Sequence, residues 1–167
     1  MMGQSGKQIL TLRAIWLLVL LTAVVPGPAE AQTSHIVTTI VTDPISGVAL
    51  GGYDPVSYFT SPEPLVGERA YEVVWSGVPW YFANAANRDV FVRTPEAYAP
   101  QFGGYGAMSV SRGYLAEGNP RIYVVAYGQL FLFYSTGNRD AFLMSQRDSL
   151  MAATENWPAV SADLSDR

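Results

Sequence analysis

The 167-residue chain has no cysteine and a single histidine, His35. Without thiols it can build neither a disulfide framework nor a thiolate metal centre, and it offers no cysteine for a lipid anchor. One imidazole cannot form a ligand cluster for a transition metal. It also leaves the serines without a convincing base for nucleophilic catalysis. Lys7 is the only lysine, and beyond it the basic residues are scattered arginines. With 10 basic against 14 acidic residues and a net charge of -4, no basic stripe exists to attract nucleic acid or an anionic membrane. Charged residues are 14% and hydrophobic residues 49%, which argues against a disordered chain and supports one domain with its own core.

The longest apolar run, Ala14 to Val25, follows Lys7 and Arg13 and is broken by Pro26-Gly27-Pro28. Ala29-Glu30-Ala31 then supplies a small-x-small site. This order predicts an export leader over residues 1-31, cleaved between Ala31 and Gln32, rather than a bilayer span, which needs about twenty residues. The mature protein is therefore expected to be periplasmic or secreted, with no stable membrane anchor. Residues 32-46 read as an N-terminal arm in which Ile36 to Thr42 is an edge strand or an ordered arm. His35, beside the new terminus, reads as a surface residue.

From Ala70 the pattern is regular. Tyr71, Val73 and Trp75 alternate, Ser76-Gly77 turns, and Val78, Trp80 and Phe82 alternate on the return: a β-hairpin. Pro79 lacks an N-H, which puts its strand at an edge or beside a bulge. Asn84 caps a helix through Arg93, ended by Thr94 before Pro95, and a short helix runs through Tyr98. The plan recurs as Ile122 to Ala126, Tyr127-Gly128, Gln129 to Tyr134, and a Ser135-capped helix from about Thr136 toward Glu155, with Leu143, Leu150 and Met151 inward. At an offset of 51, eight of nineteen positions are identical between 73-91 and 124-142, including Asn-Arg-Asp-x-Phe at both helix starts. The expected fold is α+β: a small single domain of two pseudo-repeated β-hairpin-helix units, about 70-98 and 121-155, sharing an antiparallel sheet within a domain spanning 47-158. Residues 159-167 read as a tail. The repeated Asn-Arg-Asp-x-Phe reads as architecture: Phe faces the sheet, and Asn or Arg ties the helix to a neighbouring loop.

Two glycine-aromatic stretches are the candidate site. One is Gly51-Gly52-Tyr53-Asp54-Pro55-Val56-Ser57-Tyr58. The other is the hinge Gly103-Gly104-Tyr105-Gly106, which lies between the two units. No phosphate-cradling motif surrounds either stretch, so the glycines are expected to permit positive φ or close packing. No acidic spacing suited to calcium occurs, and no metal ligands are assigned.

Gly52-Tyr53-Asp54-Pro55-Val56-Ser57-Tyr58-Phe59, Tyr81-Phe82-Ala83-Asn84 with Asn87-Arg88-Asp89-Val90-Phe91, Pro95 through Tyr105, and Asn156-Trp157-Pro158 together resemble the exported bacterial YHS-domain proteins. The resemblance covers about Gly47 to Pro158. It implies a small exported module associated with a metal, copper or another heavy metal being usual for the wider family. Members with this layout commonly carry Gly-Gly-Tyr-Cys-Ala at the hinge. Here Gly106 stands in place of the cysteine, so thiolate metal binding does not carry over. The expected function is a non-enzymatic binding module holding an unknown small ligand, or a metal weakly through oxygen ligands, between the hinge and the Gly52-Tyr58 turn. Tyr53, Asp54, Tyr58, Gly103, Gly104, Tyr105 and Gly106 would form that site. The alternative is a structural or protein-interaction domain, with a periplasmic protein as partner and a degenerate ligand site.

Overall fold

The computed structural model describes residues 40-165, so the expected leader, His35 and most of the Ile36-Thr42 segment lie outside the described residues. The element order is one six-part series run twice. A 3-10 turn at Leu50–Gly52 precedes helix α1 (Ser57–Thr60), strands β1 (Glu68–Trp75) and β2 (Val78–Phe82), and helices α2 (Ala85–Arg93) and α3 (Pro95–Tyr98). A second 3-10 turn at Gln101–Gly104 precedes α4 (Ala107–Ser111), β3 (Asn119–Ala126), β4 (Gln129–Phe133), α5 (Thr136–Met144) and α6 (Gln146–Ser165). The class is α+β, and the duplication is longer than the hairpin-helix unit read from sequence. The hinge is not a joint between two copies; it opens the second.

Local chemistry accounts for each repeated part. Both hairpins turn on two residues of positive φ, Ser76-Gly77 (50° and 78°) and Tyr127-Gly128 (54° and 71°). Such a pair matches the twist of the flanking strands. Asn84 Oδ1 accepts from Asn87 N at 2.9 Å, and Ser135 Oγ accepts from Asn138 N at 3.3 Å, each satisfying a free donor at a helix start. Phe91 and Phe142 are fully buried; Phe91 meets three aromatic rings of its own hairpin, Trp75 at 5.7 Å among them, and Phe142 meets two. Phe91 lies 5.3 Å from Trp80 and 5.1 Å from Phe82; Phe142 lies 5.7 Å from Phe131 and 5.0 Å from Phe133, centroid to centroid. The Arg-Asp members of the motif pair with each other at the surface, Arg88 with Asp89 and Arg139 with Asp140. Both Phe residues therefore serve as the packing side of the motif.

The expected shared sheet is instead two separate two-stranded sheets, β1-β2 and β3-β4. Other segments lie along the strands that would have had to join. Ala49 N donates to Pro79 O on β2 at 3.0 Å, and Pro100 forms a parallel bridge with Leu130 on β4. Packing unites the halves where hydrogen bonds do not. On β4, alternation sends Leu130 and Leu132 into the core built on Trp80, Phe82 and Phe91, while Phe131 and Phe133 enter a second core with Phe142 and Ala107. The counterparts of the two leucines on β2 are Pro79 and Tyr81, both only half-buried.

Three further expectations are corrected. The helix predicted to run from Thr136 toward Glu155 breaks at Ser145, whose φ of -145° and ψ of 44° are not helical. Leu143 and Met151, expected inward, are 47% and 63% exposed. The tail predicted from residue 159 is helical, α6 passing through Pro158 to Ser165. No helix among the described residues is long and apolar enough to cross a membrane.

Candidate functional site

The two glycine turns have one backbone form. Leu50, Gly51 and Gly52 have φ of 54°, 58° and 84°; Phe102, Gly103 and Gly104 have 55°, 62° and 89°. Three successive positive φ values strain any residue with a Cβ, so glycine at two of the three positions is what the turn requires. Each turn then docks on the strand that follows. Gly67 N donates to Gly52 O at 2.9 Å, and Gly118 N donates to Gly104 O at 3.0 Å. The offset here is 52 for the turns and 51 for the strands, so one residue separates the copies in register. By that register Tyr53 matches Tyr105, Ser57 matches Ser109, and Asp54 matches Gly106.

Asp54 is fully buried and its carboxylate is spent on the fold. Oδ1 accepts from Val56 N at 2.8 Å and Ser57 N at 3.3 Å; Oδ2 accepts from Ala83 N at 2.9 Å and Asn87 Nδ2 at 2.6 Å. The carboxylate thus holds α1, the end of β2 and the first turn of α2 together. It also shows which member of Asn-Arg-Asp-x-Phe ties the helix to a loop: the asparagine.

The second copy keeps the surroundings and omits the carboxylate. Gly106 is buried, with Ala116 O accepting from its N-H at 2.8 Å, as Leu65 O accepts from Asp54 N at 2.9 Å. A Cβ on residue 106 would stand 3.2 Å from Tyr134 N and 3.4 Å from both Ala116 O and Ser109 Oγ. Tyr134 and Asn138 match Ala83 and Asn87, so two donors that meet a carboxylate in the first copy meet none here. Ser109 Oγ is buried without a hydrogen bond, whereas its match Ser57 donates to Asp54 O and accepts from Leu65 N. The Tyr114 hydroxyl comes near enough that Ser109, and then Arg112, lower its pKa, yet it closes no bond to Oγ.

The remaining predicted residues separate. Tyr105 packs against Trp157 of α6 at 6.3 Å, and Phe102 against the same ring at 5.6 Å. Asn156 Nδ2 donates to Val110 O and Ser111 O at 3.2 and 3.1 Å, satisfying carbonyls at the end of α4. The Asn156-Trp157 pair therefore clamps α6 onto the second turn and its helix. Tyr58 is buried; its hydroxyl donates to Pro120 O at 2.9 Å, and its ring meets Tyr123 edge-on at 4.9 Å. Burial, and then the neighbouring Tyr53 and Tyr123 hydroxyls, push its pKa well above the usual phenol value. Tyr53 accepts at its hydroxyl from Arg121 Nε at 2.7 Å.

Two concavities flank the Pro120-Arg121 step. One, of about 160 Å³, lies between the two glycine turns and is lined chiefly by Val41, Leu50, Gly51, Gly104, Pro120 and Leu132. Gly104 alone of the seven predicted site residues lines it. The other, a wider cleft of about 610 Å³, is lined by Tyr53, Pro62, Glu63, Pro64, Arg121 and Tyr123. Sequence reasoning passed over Arg121 and Tyr123, which had only strand alternation to mark them.

No family model, curated protein or solved structure matches the chain.

The metal that the sequence resemblance implies does not fit this hinge. Position 106 offers no side-chain donor, and the Tyr134 N-H standing there repels a cation. Asp54, the nearest thing to an oxygen ligand in either turn, already accepts four N-H groups. Among the described residues no three of His, Asp and Glu gather.

Proposed function

We propose that this chain is an exported, non-enzymatic small-ligand-binding module of the YHS type in which thiolate metal binding at the hinge has been lost. The observation that carries the reading is the cavity between the two glycine turns. Its lining is mostly apolar, from Val41, Pro44, Leu50, Pro120 and Leu132, with Asp43 and Glu117 also on it, so it suits a small, largely apolar molecule with a polar group. Val41 N donates to Gly103 O at 2.7 Å, which holds one wall of the cavity against the second turn. A thermal-shift screen of small metabolites and divalent metals on the purified protein tests this. A ligand should raise Tm in wild type and fail to do so in Val41→Trp, which fills the cavity. No responder, or one indifferent to that substitution, would remove the support.

The second reading is an interaction domain with a degenerate ligand site. It is favoured by the exposure of Met144 (89%), Met151 and Leu143 on neighbouring helices α5 and α6. Crosslinking in cells should then recover a partner through residue 144 or 151 and not through α2.

A further inference from the structure

Arg121 begins with its backbone already fixed: its N-H donates to Asn119 Oδ1 at 2.9 Å, at the irregular stretch between Asn119 and Tyr123 of β3. Its guanidinium is then held at one end only. Nε donates to the Tyr53 hydroxyl at 2.7 Å, and Cζ lies 5.8 Å from the centroid of that ring. The terminal nitrogens are not used this way, and Arg121 forms no ion pair among the described residues. An arginine steadied at Nε keeps a planar pair of donors suited to a carboxylate. Glu63 lines the same cleft and is likewise unpaired, so a cation and an anion face one concavity without meeting. Tyr123, Pro62 and Pro64 supply flat apolar surface around them.

We infer that this cleft binds a small zwitterion with an apolar ring, an aromatic α-amino acid in chemical class. Its carboxylate takes the free edge of the Arg121 guanidinium. Its ammonium faces Glu63, and its ring lies against Tyr123 and the two prolines. A simple carboxylate would meet repulsion from Glu63, and a simple amine would meet repulsion from Arg121, so the pair selects for a ligand carrying both charges. Tyr53 is a positioning residue, acting through the Arg121 side chain. The site is separate from the cavity between the glycine turns, and neither depends on the other.

The test is titration of the full chain with L-phenylalanine, phenylacetate and phenethylamine, followed by NMR shifts at Tyr53, Arg121 and Tyr123. Phenylalanine should bind tightest. Arg121→Gln should weaken it at least about tenfold, the scale of one charge-assisted bidentate contact. Glu63→Gln should weaken phenylalanine while leaving phenylacetate unchanged or tighter. Tyr53→Phe should weaken phenylalanine several-fold, with the change confined to probes that carry a carboxylate. Absence of shifts with all three probes, phenylacetate matching phenylalanine, or binding that survives Arg121→Gln would each overturn the inference. A ligand found for the glycine-turn cavity would bear on none of these outcomes.

Discussion

Asn87 Nδ2 donates to Asp54 Oδ2 at 2.6 Å, joining the first glycine turn to a helix thirty-three residues later. The matching Asn138 has no such partner, because Gly106 stands at the position that corresponds to Asp54. Identical asparagines in identical motifs are therefore expected to differ in worth. Asn87→Ala should cost about 1.5-3 kcal/mol, as for a hydrogen bond to a charged group, and Asn138→Ala less than about 0.5 kcal/mol. Urea unfolding of the two variants checks this; equal losses would undo the match between the copies.

Removing the carboxylate itself should be worse. Asp54→Ala strands the half-buried Ala83 N and Asn87 amide and frees the start of α1. The expected loss is about 3 kcal/mol or more. Any ligand bound by the molecules that remain folded should keep its affinity, because the carboxylate is enclosed by donors of the fold.

At Gly106 the opposite change is informative. Its φ of -63° and ψ of 116° suit any residue, and Cβ contacts of 3.2-3.4 Å ask only small adjustments. Gly106→Asp should be more stable than Gly106→Ala by about 1 kcal/mol, the usual advantage of Asp over Ala at a helix cap. In the Asp background, Asn138→Ala should become costly. A double-mutant cycle measures that coupling, and a coupling near zero would count against a vacated carboxylate position.

Gly67 and Gly118 have no positive φ to explain them, yet neither has room for a methyl group. A Cβ on Gly67 would stand 2.5 Å from Tyr81 C, and one on Gly118 would stand 2.5 Å from Gly104 O and from Leu132 Cβ. Alanine at either position should lower stability by about 2 kcal/mol or more, since backbone must move. Thermal melts of the two variants decide it.

Asp43 sets a pH dependence. Hydrogen bonds from Ser46 N, the Ser46 hydroxyl and Ile45 N hold its pKa below the ordinary 3.8. A depressed carboxyl contributes stability that is present above 3.8 and lost as pH falls through the folded-state value. Tm of wild type and Asp43→Asn should therefore differ at neutral pH and converge in strong acid. Curves that stay parallel down to pH 2 would show that the Asp43 charge contributes nothing.

The hairpins, caps and breaks of this fold were legible because each depends on neighbours in sequence: Ser76-Gly77, Asn84, Thr94 before Pro95. The extent of the duplication was hidden by one residue. An offset of 51 aligns the hairpins, but the glycine turns need 52, so Asp54 and Gly106 fall out of register in an ungapped comparison. Leu143 was read as core from its hydrophobicity, although its match Val92 is equally outward at 56% exposure. The break at Ser145 restarts the helical phase, which also turns Met151 out. For the site, sequence marks aromatic residues without saying what they face. Tyr53 and Tyr105 occupy matching positions, yet one steadies an arginine over a cleft and the other packs on Trp157. That distinction is made by residues 68 and 52 positions away, and by no local pattern.

The burial of β4 on both faces has a consequence for how the molecule comes apart. Leu130 and Leu132 belong by sequence to the second copy and by packing to the first. Cutting the chain between the copies would leave Trp80 and Phe82 without two of their covering side chains, and would strip the second half of the surface on which those leucines rest. The dependence is one-sided in packing: the second half fills its own core around Phe131, Phe133 and Phe142, whereas the first half borrows two leucines to close its core.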